Sequence, residues 1–371
     1  MRSSVSGNGL ILLLALAGCG HDAPPLVAFA YARNGAPYLD LARAGFADAG
    51  RPAPAFLYDS TADVGTAEQA LAFAAQLVGR RDVTVVVGPS NSREALATAP
   101  AYVAAGLPVI VPSATSRRLR SAAGTLFTLA PDDSVEGAFL ARFAARQLRA
   151  RRGVIFYAND EYGEGLRTGI TDAFTTLGGT VAEAVPVGGS VADPAALLAA
   201  TLRRAHPEVI FSAARAEATG ALLRAAHALA PGVPVVAGDG AYLPPALASA
   251  AGGDLRDLYV LAFWSYDSTV ARQREFVARV RRLRGTAPMP EDALTVDALG
   301  LAVAALDAVG PDRERIRRWL RELGRTHPAY PGLTGPISFG AERALPLRIL
   351  RFEDGRAVAA DSALVGAVPA R

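Results

Sequence analysis

Residues 85–94 read Val-Val-Val-Gly-Pro-Ser-Asn-Ser-Arg-Glu, and residues 108–116 read Pro-Val-Ile-Val-Pro-Ser-Ala-Thr-Ser. Each stretch opens on a short β-branched run bounded by Gly or Pro, and it ends in small hydroxyl residues where a helical pattern begins. This pattern predicts a strand, a turn and a helix N-terminus, twice over. In a parallel α/β sheet such turns lie side by side at the carboxyl ends of the strands, where ligands bind.

Two interpretations are open for the hydroxyls of these turns. Ser92 and Thr115 can each offer a hydroxyl beside the unpaired N–H groups of a helix start, an arrangement that suits a carboxylate or another small anion. Alternatively, both are helix N-caps, a position that Ser and Thr commonly occupy.

The composition describes an ordinary globular protein and excludes several classes of site. The chain has 371 residues, 51% of them hydrophobic, which is long enough for two domains with cores. Its basic residues are all Arg and are spread among carboxylates, so the net charge of +3 predicts no nucleic-acid partner. The absence of Lys excludes a Walker A motif and Schiff-base chemistry. The four His have no metal-ligand spacing, and we expect neither a metal nor a cofactor.

The first residues have the pattern of an export signal. An apolar run, too short to span a bilayer as a mature helix, precedes Leu-Ala-Gly-Cys at residues 16–19, which resembles the bacterial lipobox. We therefore expect a lipoprotein signal peptide over residues 1–19, lipidation at Cys19 and a tether over residues 20–25; the alternative is a plain signal peptide. The mature protein would be periplasmic or in the cell envelope, attached to the membrane by lipid.

From Leu26 the chain alternates apolar runs with amphipathic stretches, which predicts parallel β-α-β units. A second series of the same kind starts after Pro131, and two such series predict two similar domains facing each other. Three helices without intervening strands follow residue 264. Residues 337–339 and 347–352 are then predicted as strands, and residues 353–356 as a hairpin turn between Phe352 and Val358.

Six stretches, in a fixed order, carry a resemblance to a known family. They are residues 87–92, 105–115, 159–165 (Asn-Asp-Glu-Tyr-Gly-Glu-Gly), 296–298, 334–339 (Thr-Gly-Pro-Ile-Ser-Phe) and 351–355 (Arg-Phe-Glu-Asp-Gly). Together they resemble the type I periplasmic binding proteins of the leucine/isoleucine/valine transport group, the extracytoplasmic receptors of ABC importers. The resemblance implies an α/β fold of two Rossmann-like lobes with parallel sheets, joined by a three-strand hinge and closing on a small molecule.

The implied lobes are discontinuous in sequence. Residues 26–131 and 263–339 would form lobe 1, and residues 132–262 and 340–371 would form lobe 2. The chain would then cross between the lobes near residues 130, 262 and 340.

The resemblance also implies a binding site, residue by residue. Ser92 and Thr115, with the backbone of Ser113 and Ala114, fall at the family's α-carboxylate site.

Three further positions match family binding residues, and each has an alternative. Tyr38 falls at the first-lobe aromatic position and Tyr162 at the second-lobe one. Asp239 falls where the family commonly has a carboxylate for the ammonium group. Alternatively, Tyr38 is a core aromatic, Tyr162 a helix-start residue and Asp239 a turn residue.

The sequence departs from the family pattern at Arg215, where leucine-type receptors carry an aromatic stretch. Facing the cleft, Arg215 would pair with Asp239 or bind a second anionic group of the ligand. Facing water, it would lie near Glu217, and the cost of burying an unpaired guanidinium favours this second position.

The sequence thus predicts a receptor that binds a small amino acid or amino-acid-like carboxylate and passes it to an ABC permease. A ligand-sensing or accessory lipoprotein of the same fold is the alternative. An enzyme is disfavoured, because the chain has no nucleophile-elbow motif, no dinucleotide fingerprint and no metal cluster.

Overall fold

The protein is described by a computed structural model for residues 26–31, 35–58, 66–188, 194–267, 269–340, 344–354 and 356–366. The signal peptide, Cys19 and the tether lie outside these residues. The first lobe starts with alternating strands and helices: β1 (Leu26–Phe29), α1 (Ala36–Asp48), β2 (Phe56–Leu57), α2 (Ala67–Gly79), β3 (Val83–Val87), α3 (Ser92–Ala104), β4 (Val109–Val111) and β5 (Leu126–Thr128).

The second lobe repeats this alternation. It contains α4 (Asp133–Arg146), β6 (Arg152–Ala158), α5 (Glu161–Thr176), β7 (Thr180–Val187), α6 (Pro194–Ala205), β8 (Val209–Ala213), α7 (Ala216–Leu229), β9 (Val235–Ala237), α8 (Pro244–Ala251) and β10 (Leu258–Ala262). The chain then adds α9 (Ala271–Arg284), α10 (Pro290–Val309), α11 (Arg313–Glu322), β11 (Tyr330–Gly332) and β12 (Gly335–Ile337) to the first lobe. It ends with β13 (Ala344–Glu353) and β14 (Arg356–Gly366) in the second.

The two sheets share one strand order. In the first lobe the parallel order is β2-β1-β3-β4-β5, and in the second it is β7-β6-β8-β9-β10, extended by antiparallel β13 and β14. Counted from the first strand of each lobe, both orders are 2-1-3-4-5, the doubly wound arrangement with a ligand crevice at the switch point between strands 1 and 3. This confirms the predicted α/β fold of two lobes with parallel sheets.

The strand ends that decide the fold are buried as expected. All five residues of β3 are buried, because helices cover both faces of a parallel sheet. Gly88 follows β3 with φ +101°, and a Cβ there would lie 2.3 Å from the carbonyl oxygen of Ala30. Only glycine fits this close approach, so the loop turns sharply enough to present residues 90–92 at the sheet edge.

Two glycines allow α5 to approach its neighbours closely. A Cβ on Gly137 of α4 would lie 2.3 Å from the backbone carbon of Gly169 in α5, so the two helices touch backbone to backbone. A Cβ on Gly163 would lie 2.0 Å from the carbonyl oxygen of Ala158 at the end of β6. The start of α5, with Tyr162, is therefore held close against the sheet.

The first lobe contains one hairpin that its sequence did not predict. Strands β11 and β12 pair antiparallel, with Tyr330 opposite Ile337. The hairpin is anchored by Asp297 of α10, whose carboxylate accepts the N–H of Leu333 at 2.6 Å and the N–H and hydroxyl of Thr334 at 2.9 and 2.7 Å.

Candidate ligand site between the lobes

A cavity of about 240 Å³ lies between the carboxyl edges of the two sheets. The first lobe lines it with residues 90–92 after β3, residues 113–115 after β4, and Met289, Pro290, Glu291 and Leu294 at the start of α10. The second lobe lines it with Tyr162, Arg215, residues 239–240, 242–243 and 261–262, and Phe263 closes it at the second crossing. Small-molecule sites typically measure roughly 300–1,000 Å³, so this cavity suits a compact ligand.

The first lobe offers hydrogen-bond donors from its hydroxyl wall, which we define as residues 90–92 and 113–115. Ser92 is the first residue of α3, and its Oγ accepts the N–H groups of Thr115 and Ser116, each at 3.2 Å. Ser113 Oγ donates to the carbonyl of Ser90 at 3.2 Å, so the two turns are tied together. The N–H groups in the first turn of α3 have no partner within the helix, which gives this wall an affinity for anions.

The N-cap interpretation is wrong for both hydroxyls. Asn91 is the N-cap of α3, and Ser116, not Thr115, caps the short 3-10 helix at Arg117–Ala122. Ser92 instead ties the two turns, while Thr115 is 2% exposed and its hydroxyl lies against the carboxyl group of Asp133. Both residues line the cavity, as do Ser113 and Ala114.

The second lobe presents a carboxylate to the cavity. Asp239 follows β9, and its N–H donates to Glu136 Oε1 at 2.8 Å while the N–H of Gly240 donates to the Tyr162 hydroxyl at 3.0 Å. Asp239 Oδ1 is buried and accepts no hydrogen bond from the described part of the chain. Asp239 also begins a short 3-10 turn, Asp239–Ala241. It is therefore both a turn residue and a residue that lines the cavity.

Asp239 belongs to a carboxyl cluster with Asp133 and Glu136 of α4, which are 1% and 0% exposed. Burial raises the pKa of Asp133 to about 8. Burial and the charge of Asp239 raise the pKa of Glu136 well above its ordinary value. For Asp239, burial raises the pKa to about 6, and the Tyr162 hydroxyl and the Gly240 N–H oppose that rise. Adjacent carboxylates do not all ionise together, so this cluster keeps part of its protons at a pH where isolated carboxyl groups are ionised.

Arg215 lies at the rim of the cavity and takes a partner that the sequence analysis did not name. It is the N-cap residue of α7, and its Nη1 donates to Asp160 Oδ2 at 2.7 Å. Its guanidinium also lies 5.4 Å from the centre of the Tyr162 ring. With 46% of the side chain exposed, Arg215 is bound to Asp160 and pairs with neither Asp239 nor Glu217.

Tyr38 does not line the cavity. It is 7% exposed and packs against Tyr31, with the two ring centres 5.0 Å apart. The guanidinium of Arg284 lies 5.2 Å from the centre of the Tyr38 ring. Its hydroxyl is hydrogen-bonded to Glu291, a residue that does line the cavity. The aromatic core position is therefore the one observed, and Tyr38 reaches the site through Glu291.

Sequence reasoning missed the apolar wall and Glu291. Apart from Glu291, the missed positions are mostly apolar: Tyr242, Leu243, Leu261, Ala262, Phe263, Met289, Pro290 and Leu294. Two local signals mark these positions: the end of strand β10 and the Pro-Glu-Asp sequence at the start of α10. Acidic residues are common in the first turn of any helix, so the second signal does not by itself indicate a binding site. Trp264, next to Phe263, packs edge-to-face on Phe276 with ring centres 5.9 Å apart and does not line the cavity.

Polar contacts cross the cleft beside the cavity. On the first lobe, Arg118 Nη1 donates to Glu161 Oε2 at 3.0 Å and Ser116 Oγ to Glu161 Oε1 at 3.1 Å. Arg93 of α3 lies 3.4 Å from Asp160. The N-terminus of α5 thus contacts the first lobe directly.

Two searches of the described residues bear on other classes of site. No group of three or more His, Cys, Asp or Glu side chains is arranged to hold a metal ion there. Within the same residues no single helix is long and apolar enough to cross a membrane; α10 and α11 together pass by length and composition, but they are bent by 112°.

Comparisons with known proteins agree on the family. The sequence profile described as "Periplasmic binding protein" matches residues 30–352. The substrate-binding protein LivJ from Streptococcus pneumoniae, solved with isoleucine, superposes with a TM-score of 0.78 at 20% identity over 93% of this chain and 100% of that one. The leucine binding protein LivK from Thermotoga maritima has a TM-score of 0.78 at 22% identity, over 92% and 98%.

A third solved structure carries a different ligand. A solute binding protein from R. palustris in complex with benzoate has a TM-score of 0.77 at 17% identity over 94% of this chain and 98% of that one. A comparison with curated proteins gives no match. The chain therefore belongs to the periplasmic binding protein family and has the type I fold of the leucine/isoleucine/valine-binding proteins.

Proposed function

We propose that the protein is an extracytoplasmic solute receptor of an ABC importer, and that it binds a small amino acid or an amino-acid-like carboxylate in the cavity between its lobes. The carrying observation is the opposite chemistry of the two walls. The hydroxyl wall offers donors on one lobe, and Asp239 offers a buried acceptor oxygen on the other. A zwitterion satisfies both at once.

Each end of an amino acid has a counterpart in this arrangement. Its carboxylate would accept hydrogen bonds from Ser92, Thr115 and the first-turn N–H groups of α3. Its ammonium would donate to Asp239 Oδ1, which otherwise accepts nothing from the described residues. Because a buried acceptor without a donor costs free energy, a ligand that supplies the donor gains affinity.

Binding would be coupled to closure. The ligand contacts both lobes, so it has more contacts in the closed form and shifts the population toward it. We infer hinge motion at the three crossings, which follow β5, β10 and β12, with lobes divided as the sequence analysis expects. The contacts of Glu161 and Asp160 with the first lobe would further stabilise the closed form.

We also propose that the receptor is lipid-anchored at Cys19 outside the cytoplasmic membrane and delivers its ligand to a membrane permease. The lipobox-like sequence supports the anchor, and membership of the periplasmic binding protein family supports the location. The function is binding without chemical conversion.

An amino acid explains the site better than a simple aromatic acid such as benzoate. Benzoate has a carboxylate for the hydroxyl wall and a ring for the apolar wall, but it has no donor for Asp239. Burying an ionised carboxylate against a ring is costly, and the ligand would lose that free energy.

A thermal-shift and calorimetric screen tests the proposal. The purified protein is titrated with the L-amino acids and, in parallel, with benzoate and dicarboxylates. An amino acid at about 100 times its dissociation constant should raise the unfolding free energy by roughly 2.7 kcal/mol, and it should be recovered unchanged. Stabilisation by benzoate alone, or by no compound in the panel, would contradict the proposal.

A further inference from the structure

Glu291 is a second carboxylate on the cavity, opposite Asp239. It lies in the first turn of α10, on the first lobe, and lines the cavity beside Met289 and Leu294. In the proposed function, the α-carboxylate of the ligand binds the hydroxyl wall and the α-ammonium binds Asp239, so neither group contacts Glu291. Glu291 is therefore free to bind the side chain of the ligand.

The side chain of Glu291 is held in place from behind. The Tyr31 hydroxyl donates to Glu291 Oε1, and the Tyr38 hydroxyl is hydrogen-bonded to the same carboxyl group. Tyr31 also lies 3.4 Å from Thr295 Oγ1, one turn further along α10. Two phenols fix the orientation of the carboxyl group and leave lone pairs for the cavity, since a carboxylate can accept about four hydrogen bonds.

No cation of the described chain forms an ion pair with Glu291. Arg284, which lies over the ring of Tyr38, is paired with Asp292. At the cavity, Arg215 is the one cationic lining residue among those described, and it is bound to Asp160. The cavity thus has two acidic side chains, Asp239 and Glu291, and a cation whose charge is already compensated.

An aliphatic amino acid would leave this charge balance incomplete. It brings one ammonium, which Asp239 takes, and its side chain would then lie against the Glu291 carboxylate. Desolvating a carboxylate against methyl groups is unfavourable. A side chain with an apolar stem and a cationic end would pack its stem on Leu261, Phe263 and Leu294 and bring its charge to Glu291.

We propose that Glu291 selects the ligand: it accepts the amine or guanidine at the end of the ligand's side chain, and the preferred ligand is a basic amino acid rather than a branched-chain one. This inference rests on the proposed function, because it assumes that the α-ammonium and α-carboxylate bind as described above. Tyr31 and Tyr38 are positioning residues for Glu291.

Calorimetric titration with four probes tests this selection. L-Lysine, L-ornithine and L-arginine carry a cationic end, and L-norleucine has an unbranched side chain without one. The wild-type protein should bind at least one basic amino acid about tenfold or more tightly than L-norleucine, as expected for a hydrogen-bonded charge pair. The variant Glu291→Gln should lose that preference while its affinity for L-norleucine stays the same or rises.

The matched control is Glu217→Gln, which changes an exposed first-turn glutamate of α7 away from the cavity. It should bind all four probes like the wild type. If wild-type protein binds L-norleucine as tightly as every basic amino acid, the inference fails while the proposed function stands. An equal loss for all probes in Glu291→Gln would make Glu291 a structural residue and would also overturn the inference. If no amino acid binds at all, the proposed function fails with it.

Discussion

At the level of single residues, Asp239 carries the charge on which the proposed amino-acid binding depends. Burial raises the pKa of its neighbour Asp133 to about 8 and that of Glu136 well above its ordinary value. The pKa of Asp239 is about 6 in the unliganded site, so the carboxylate is ionised above that pH. The ligand ammonium binds the ionised form, and affinity should therefore fall as the pH is lowered through about 6.

The first prediction removes that charge. Asp239→Asn should weaken amino-acid binding by about 1.5–3 kcal/mol, the usual value of a charged hydrogen bond, and should flatten the pH dependence between pH 5 and 8. Calorimetry across this pH range measures both effects. The exposed Asp172→Asn is the control for a change of formal charge. Wild-type affinity in the Asp239→Asn protein would show that Asp239 does not bind the ammonium group of the ligand.

The hydroxyl wall gives a second prediction. Ser92→Ala and Thr115→Ala should each weaken ligand binding by about 1–2 kcal/mol, because each removes one hydrogen bond to a charged group. Ser92→Ala should also lower the melting temperature, since the N–H groups of Thr115 and Ser116 lose their acceptor. Thr168→Ala, an exposed hydroxyl on α5, serves as the control. Intact affinity in both cavity variants would show that the carboxylate binds elsewhere.

Asp133 provides a prediction about stability that needs no ligand. Its pKa is raised to about 8 in the folded protein from the ordinary 3.8, so between these values the folded state holds a proton that the unfolded state releases. Stability should therefore fall as the pH rises from about 4 toward 8, by at least about 1 kcal/mol from this group alone.

Asp133→Asn cannot ionise, so it should remove that part of the slope. Denaturant unfolding of wild type and variant at several pH values measures the difference between the two slopes, which is insensitive to any constant cost of the substitution. Asp172→Asn is again the control. Parallel pH profiles for wild type and Asp133→Asn would mean that Asp133 is ionised in the folded protein.

Sequence reasoning identified most of the candidate residues but could not see their connections. Ser92, Thr115, Tyr162 and Asp239 follow strand ends or start helices, so local pattern and family resemblance are enough to find them. Glu291 is different, because its place opposite Asp239 depends on how α10, over fifty residues further along, returns to the first lobe.

Arg215 shows the same limit in another form. Its partner Asp160 is 55 positions away in the chain. Spacing in the sequence favoured Glu217, two positions away, whereas the fold brings the start of α5 beside the start of α7. Pairing of charges is a property of the tertiary structure, and no local pattern encodes it.

Among the elements, the N-terminus of α5 connects the two lobes. Glu161 accepts hydrogen bonds from Ser116 and Arg118 of the opposite lobe, and both distances are close to 3 Å. These contacts join the two lobes across the cleft, so they should favour closure and ligand retention. The Arg118 side chain is 72% exposed, and pairs of this kind contribute at most about 1 kcal/mol.

Glu161→Gln should therefore weaken ligand affinity by no more than about fivefold at low ionic strength, and the effect should shrink as salt is added. Glu164→Gln on the same helix is the matched control, because Glu164 pairs with Arg167 inside its own lobe. Calorimetric titrations at low and high salt compare the two variants. If both variants lost the same amount of ligand affinity, the contacts of Glu161 across the cleft would have no specific role in closure.

The elements themselves were well predicted where the pattern is local. A β-branched run followed by Gly or Pro and a helix start is enough to predict β3, α3 and β4, and each pattern lies within about a dozen residues. The hairpin of β11 and β12 was not predicted as a hairpin, because its strands contain Pro331 and Pro336 and are three residues long. Its structure depends on Asp297, whose contacts lie 36 and 37 positions away.

At the scale of the whole molecule, two sheets with the same strand order face each other across one cavity. Each lobe brings the carboxyl ends of its strands to the cleft, and parallel β-α-β topology makes this inevitable. In this arrangement the hydroxyl wall of the first lobe faces Asp239 of the second. A ligand with both charges can then hold the lobes together, which neither half of it would do alone.

The most direct test of this account compares amino acids with their deaminated analogues. Calorimetry on the wild-type protein would pair L-leucine with isocaproate and L-lysine with ε-aminocaproate, so that each pair differs only in the α-amino group. The account predicts that at least one of the amino acids binds, and that its deaminated analogue binds about tenfold or more weakly. Equal affinity within the pair that binds, or no binding of either amino acid, would contradict the bridging of the lobes by a zwitterion.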